Sequence, residues 1–291
     1  MPGFTAHDGT TLAYHEIGDG PPLLCVPGGP GRAASYLGNL GGLDRHRTLL
    51  LLDNRGTGHS DTPADPATYR RDRLAADIDA LRTHLGLDRV DLLGHSAGAG
   101  ITLAYAEQHP DRLASLVLLT PSLRAIDAAP TPADWGAHLS RHTHQPWYAD
   151  AAAALTAWSE GDDTPANRLA AAPLFYGRWD DQARAHAAAE PDEAAPAAAT
   201  GYGADGAFTP DHTRRALADL DVPVLVYAGG ADPVSPPHLV RLLADLIPGA
   251  RYVEQPDAGH FPWLDDPDFL VDRIRDFPDH RPDTADRGPR G

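Results

Sequence analysis

Three side chains far apart in the 291-residue chain have the types that acyl transfer needs: Ser96, Asp232 and His260. A serine hydroxyl is a weak nucleophile at neutral pH. It becomes a strong one when an imidazole takes its proton and a carboxylate orients that imidazole. Ser96 lies in "GHSAG" (94–98), after the apolar run "RVDLLG" and before the helical pattern "AGAGITLAYAEQHP". Small residues at 94 and 98 admit a tight strand-to-helix turn that lifts the serine above a sheet. The plainer role for Ser96 is a helix cap. Asp232 stands in "AGGADPVSPP", just past the apolar run 222–229, and His260 in "QPDAGHFPW", just past 250–255. Acid then histidine, each after a later strand, is the chain order that such a turn requires. The rival position for an acid, after "LASLVLL" (113–119), reads "TPS" and offers no carboxylate. The plainer roles are a turn aspartate before Pro233 and one loop histidine among 15.

Acyl transfer also needs N–H donors for the oxyanion of its tetrahedral intermediate. The Ala97 amide opens the helix after Ser96. The second donor is expected from "VPGGPG" (26–31), which is similar to the usual H-G-x-P pattern; aligned on that pattern Gly29 is the donor, and Pro30 has no N–H to give. Around this centre the expected pocket residues are Gly28, His95, Trp135, Phe175, Tyr176, Trp179 and Phe261. His138, His142 and His144 cluster in sequence, but neither a cysteine nor a spaced carboxylate completes a zinc site beside them. Neither a metal nor an organic cofactor is expected.

Elements that could position these residues are readable from apolar patterning. A turn at Asp8-Gly9 predicts an N-terminal hairpin. Apolar runs at 22–26, 47–53, 89–94, 113–119, 222–229 and 250–255 alternate with helical segments, which predicts an α/β fold with a mainly parallel central sheet flanked by helices. Residues 69–86 place Leu74, Ile78, Leu81 and Leu85 at helical spacing. "PPHLVRLLADLIPG" and "PDFLVDRIRDF" predict two more helices after Pro-rich starts. Between "LLTPS" and "DVPVLVYAG" the Ala-rich sequence carries no strand pattern and holds Trp135, Trp147, Trp158 and Trp179, four of the five tryptophans. This predicts a helical lid inserted before the acid-bearing strand. The expected organisation is a core of 1–121 and 213–278, a lid of 122–212 and a disordered tail of 279–291.

Composition narrows the partners. With 41 acidic and 24 basic residues the formal charge is −17, which repels nucleic acid. No run approaches the roughly 18 apolar residues of a membrane span, and the N-terminus lacks a basic patch followed by an apolar core. Cys25 is the single cysteine, placed in a strand-like run, so no disulfide within the chain is possible. A cytoplasmic protein acting on a small molecule is expected. Oligomeric state is not readable.

Taken together, the loop 26–31, the ordered Ser96, Asp232 and His260, and the helical insertion resemble the α/β-hydrolase superfamily over nearly the whole chain. "PGGPG" with "LLDNRGTGHSD" (51–61) is similar to the H-G-G-P-G and D-Q-R-G-x-G-x-S pair of the proline iminopeptidase family. Asp53, Arg55, Gly56, Gly58 and Ser60 fall on the second motif. The resemblance implies a serine hydrolase cleaving an ester or amide bond, with the Asp53–Arg55 stretch structural beneath the oxyanion turn. The chain departs from that pattern at Pro27, where the family has His, at Asn54, where it has Gln, and in the elbow, G-H-S-A-G in place of G-G-S-W-G. That family holds the substrate's amine with acidic lid residues in an "ENHYF"-like segment. The comparable stretch here is "AAPLFYGRWDDQ", and Glu160, Asp162, Asp163, Asp180 and Asp181 are the acidic lid residues that could substitute. The substrate alternatives are therefore an aminoacyl amide or short peptide, or an ester, lactone or thioester of a natural product. An acyltransferase and a binding protein with a silent triad are the other readings. Epoxide hydrolase and dehalogenase chemistry on this fold would need Asp at the elbow, and Ser96 argues against both.

Overall fold

The computed structural model describes residues 1–275 and 277. The disorder expected of 279–291 lies outside the described residues. Eight strands form one sheet: β1 (Gly3–Thr5), β2 (Thr11–Ile17), β3 (Pro22–Val26), β4 (Thr48–Leu52), β5 (Val90–His95), β6 (Leu113–Leu119), β7 (Val224–Gly229) and β8 (Arg251–Gln255). Their spatial order is β1-β2-β4-β3-β5-β6-β7-β8. The pairings of β1 with β2 and of β2 with β4 are antiparallel, and the rest are parallel. The N-terminal hairpin is therefore the antiparallel edge of a parallel sheet.

The apolar runs follow from burial on both faces. Leu24, Val26, Leu50, Leu52, Leu92 and Leu118 point into one core, with α1 (Arg71–His84), α2 (Ala97–Gln108) and, later in the chain, the helix Pro237–Asp245. Leu23, Cys25, Leu49, Leu51, Leu93 and Val117 point into the other, under the helix Pro267–Arg275. A strand covered on both sides gains by being apolar at every position. The helix expected over 69–86 is shorter, because Pro66–Tyr69 forms a separate 3-10 turn and Gly86 (φ +67) ends the run.

Seven helices lie between β6 and β7: α3 (Pro132–Ser140), α4 (Tyr148–Ser159), α5 (Pro165–Ala171), α6 (Asp181–Ala188), α7 (Glu190–Glu193), α8 (Pro196–Tyr202) and α9 (Pro210–Ala218). The expected boundary at 213 falls inside α9, whose Thr213 hydroxyl donates to Glu107 of α2 at 2.9 Å. The remaining helices are α10 (Pro237–Asp245), α11 (Pro262–Asp265) and α12 (Pro267–Arg275). The parallel strands β3 to β8 all end at the same edge, so the segments after β3, β5, β7 and β8 converge there.

Candidate active site

The chain turns sharply as β5 passes into α2. Ser96 has φ 53 and ψ −119, a conformation that side chains rarely adopt. The turn closes only because its flanks lack side chains. A methyl group on Gly98 would overlap the Val26 carbonyl, and one on Gly94 would lie 2.7 Å from the backbone of Ala99. Ser96 N–H donates to Leu119 O at 3.0 Å, which ties the turn to the end of β6.

His260 Nε2 lies 2.9 Å from Ser96 Oγ, and His260 Nδ1 lies 2.8 Å from Asp232 Oδ2. The three side chains thus form one hydrogen-bonded chain, and all three residues are buried. Asp232 is itself held, because the amides of Val234 (2.8 Å) and Ser235 (3.2 Å) donate to its other oxygen. The loop bearing His260 is anchored from outside the sheet. His260 N–H donates to Phe175 O at 2.8 Å, and Asp265 accepts from Gly259 N at 2.8 Å, Gly177 N at 3.2 Å and Arg178 N at 3.1 Å. Burial raises the Asp265 carboxyl pKa, against the pull of those three amides.

Among the described residues the amides of Gly29 and Ala97 donate to no protein group, so both remain available to an anion. Gly28 differs: its N–H donates to the Tyr36 hydroxyl at 2.7 Å. A cavity of about 520 Å³ opens over Ser96. Its walls include Gly29, Arg32 and Tyr36 from the loop after β3, His95 and Ser96 from the elbow, and Val234, His260 and Phe261 from the later loops. Trp158, Phe175 and Tyr176 of the insertion face it, as do Asp163, Arg168 and Glu190.

Of the expected pocket residues, His95, Phe175, Tyr176 and Phe261 line this cavity, while Gly28, Trp135 and Trp179 do not. Gly28 packs against the elbow, where a methyl group would sit 2.7 Å from His95 O. Trp135 stands behind Phe175, ring centroids 6.3 Å apart, and Trp179 stands beside Tyr176 at 5.3 Å. Both tryptophans support the wall rather than form it. Of the five acidic lid candidates only Asp163 reaches the lining. Asp162 accepts from Asn167, Asp180 caps α6, and Glu160 and Asp181 are exposed. Arg32, Tyr36, Trp158, Arg168 and Glu190 are lining residues that the expected pocket lacks. Trp158 carried a signal, an aromatic within the insertion, but its facing was unreadable.

Asp53 and Arg55 sit away from the cavity. Asp53 is fully buried and accepts from Ala34 N at 2.8 Å and His59 N at 3.0 Å, pinning the loop after β3. Arg55 is buried between Asp77 (2.8 Å from its Nε) and Asp8 (2.6 Å from its Nη1). Among the described residues one group, His15, Asp53 and His59, is close enough to share a metal ion. Both Asp53 oxygens already accept hydrogen bonds, one of them from the His15 ring at 3.0 Å, and the group serves as it stands as a loop anchor. The His138 and His142 rings meet edge to face, centroids 4.7 Å apart, but His138 Nε2 is occupied by Leu174 O at 2.8 Å.

The model of the alpha/beta hydrolase fold family matches residues 21–267 of this chain. The chain is an α/β-hydrolase. An N-formylmaleamate deformylase of Pseudomonas putida is 30% identical to this hydrolase over 273 residues, 90% of each chain. A proline iminopeptidase of Heyndrickxia coagulans is 36% identical, over 112 residues that make up 38% of this chain and 39% of that protein. Among solved structures, an enol-lactonase from Burkholderia xenovorans superposes with a TM-score of 0.64 at 26% identity, covering 95% of this hydrolase and 99% of that chain. By name these relatives are a deformylase, an iminopeptidase and a lactonase, so they differ in the substrates they are named for. No helix among the described residues is long and apolar enough to cross a membrane.

Proposed function

We propose that this hydrolase cleaves a small ester or amide through an acyl-enzyme formed on Ser96. The observation that carries the reading is the chain from Ser96 Oγ to His260 Nε2 (2.9 Å) and from His260 Nδ1 to Asp232 (2.8 Å), at the floor of the cavity. His260 takes the serine proton as Oγ attacks the carbonyl carbon, and Asp232 keeps Nδ1 protonated and holds the imidazolium. The amides of Gly29 and Ala97 receive the oxyanion. His260 then protonates the leaving group, and a water, deprotonated by His260, attacks the acyl-enzyme and releases the acid.

In this reading residues 122–212 form a lid over the active site of a core made of 1–121 and 213–278. Support comes from Trp158, Phe175 and Tyr176, which wall the cavity from the insertion, and from the bond between Phe175 O and the amide of His260. The acyl group sits against that largely apolar wall. Asp163 and Glu190 favour a second reading, an aminoacyl substrate whose ammonium they would face, although Arg168 lies between them at 3.4 Å and 3.8 Å. A cytoplasmic setting completes the reading, since the lone Cys25 is buried and needs no oxidised partner.

The test is a fluorophosphonate probe followed by a hydrolysis panel of short acyl esters, lactones, and proline and other aminoacyl arylamides. Labelling at Ser96 with ester turnover is the expected result. An unlabelled, folded protein would favour a binding role. Turnover of esters with no aminoacyl amide hydrolysed would remove the peptidase reading, and product formation only with an added alcohol or amine would make it an acyltransferase.

A further inference from the structure

A buried string of hydrogen bonds joins the loop after β3 to the residue that carries the imidazole. Gly28 N–H reaches the Tyr36 hydroxyl at 2.7 Å, that hydroxyl reaches His95 Nδ1 at 2.6 Å, and His95 Nε2 reaches the His260 carbonyl at 2.9 Å. The ends decide the direction. An amide can only donate and a carbonyl can only accept. Tyr36 Oη therefore accepts from Gly28 and gives its own hydrogen to a bare His95 Nδ1, and His95 donates from Nε2. Any other proton placement leaves a buried polar group unpaired, which is costly away from water. The members cannot readily change charge either, since burial and the nearby His260 hold His95 well below the usual histidine range, and burial pushes the Tyr36 hydroxyl up.

Two consequences bear on the reacting atoms. The Gly28 amide is consumed by Tyr36, so the loop offers an oxyanion the amide of Gly29 instead. The His260 carbonyl, which also accepts from the Thr120 hydroxyl at 3.1 Å, is fixed in the same string, and the His95 ring lies 5.0 Å from the His260 ring. We infer that Tyr36 and His95 are positioning residues that lock the distance between the oxyanion-binding loop and the general base. The inference rests on the serine hydrolase reading. It needs neither residue to touch the scissile bond.

Tyr36→Phe removes the hydroxyl and keeps the ring. Expected is a fall of about 10- to 100-fold in kcat on a short acyl nitrophenyl ester, with KM within about threefold, because a small misalignment acts on the transition state. His95→Ala behaves the same way. His95→Gln, whose amide can donate to His260 O and accept from Tyr36, recovers to within about tenfold of wild type. A merely structural role would instead lower the melting temperature of all three and leave kcat per folded molecule unchanged, and that result would overturn the inference. Wild-type protein labelled with ¹⁵N-histidine supplies a measurement free of folding defects. His95 should show a bare Nδ1 and a protonated Nε2 from pH 5 to 9, and the opposite tautomer, or titration in that range, would also overturn it. If wild-type Ser96 fails to react with fluorophosphonate, the hydrolase reading itself fails. If wild type reacts and the Tyr36 and His95 variants react equally fast, the reading stands and the positioning role falls.

Discussion

Ser96 holds a backbone conformation that no contact of its own side chain requires, φ 53 and ψ −119, and neighbouring backbone forces it there. Strain of this kind, about 1–3 kcal/mol, persists where surrounding structure over-determines a residue, and it turns Oγ toward His260. Two substitutions separate strain from chemistry. Ser96→Ala is expected to abolish fluorophosphonate labelling and to lower ester hydrolysis by about 10⁴-fold or more, with a melting temperature close to wild type. Ser96→Gly should be equally inactive and at least as stable as Ser96→Ala, because glycine accepts a positive φ without penalty. Calorimetry of both variants checks this, and a large loss of stability in either would return Ser96 to a structural role. Asp232→Asn should cost about 10⁴-fold in kcat, since an amide facing Nδ1 favours the wrong imidazole tautomer. A loss below tenfold would show that Asp232 only caps its turn.

The inserted helices are bonded to the rest of the chain at several places, and two of these lie next to His260 and Gly29. Phe175 to Arg178 bond to the His260 loop, and Glu193 to Ala195 bond to the loop after β3. At the second place Ala33 N donates to Glu193 O (2.9 Å), Ala195 N donates to Gly31 O (2.8 Å), and Arg32 Nε meets Glu193 Oε2 at 2.7 Å. Glu193→Ala deprives the largely buried Arg32 guanidinium of its carboxylate, leaving it the His186 carbonyl (3.0 Å) and the Tyr36 ring face, and is expected to destabilise the fold by about 2 kcal/mol. Urea unfolding measures it, and KM should rise because Arg32 lines the cavity. These attachments were not legible in the sequence. The strands were, since burial on both faces makes them continuously apolar, and so were Ser96, Asp232 and His260, because each follows a strand end. Trp135 and Trp158 have the same residue type on neighbouring helices, and only the packing of short Ala-rich helices decides which one faces the cavity. The partnering of Gly28 with Tyr36 was equally hidden, because it depends on a loop path without periodicity.

The whole chain carries an excess of acid, yet two buried histidines and the half-buried His186 decide one part of its pH response. Burial lowers His138 and His186 to about 4, and His95 lies well below its ordinary value for the same reason. In the unfolded chain each would take up a proton near pH 6.5. The unfolded state therefore binds more protons than the folded state between about pH 6.5 and 4, and stability must fall as pH falls through that window. Melting temperatures measured from pH 8 to 4 should show this decline, and His138→Gln should flatten part of it. A flat profile down to pH 4 would contradict the burial of these rings. The two attachments of the insertion carry a different lesson at this scale. Beside their side-chain bonds, three bonds run between backbone groups: Phe175 O to His260 N, Glu193 O to Ala33 N, and Gly31 O to Ala195 N. Backbone groups persist through almost any substitution, so the side chains at Trp158, Leu169 and Phe175 can be exchanged without loosening the seam that keeps Gly29 and His260 in place. In a chain wired this way, substrate preference can drift by single mutations while the chemistry beneath it is inherited unchanged.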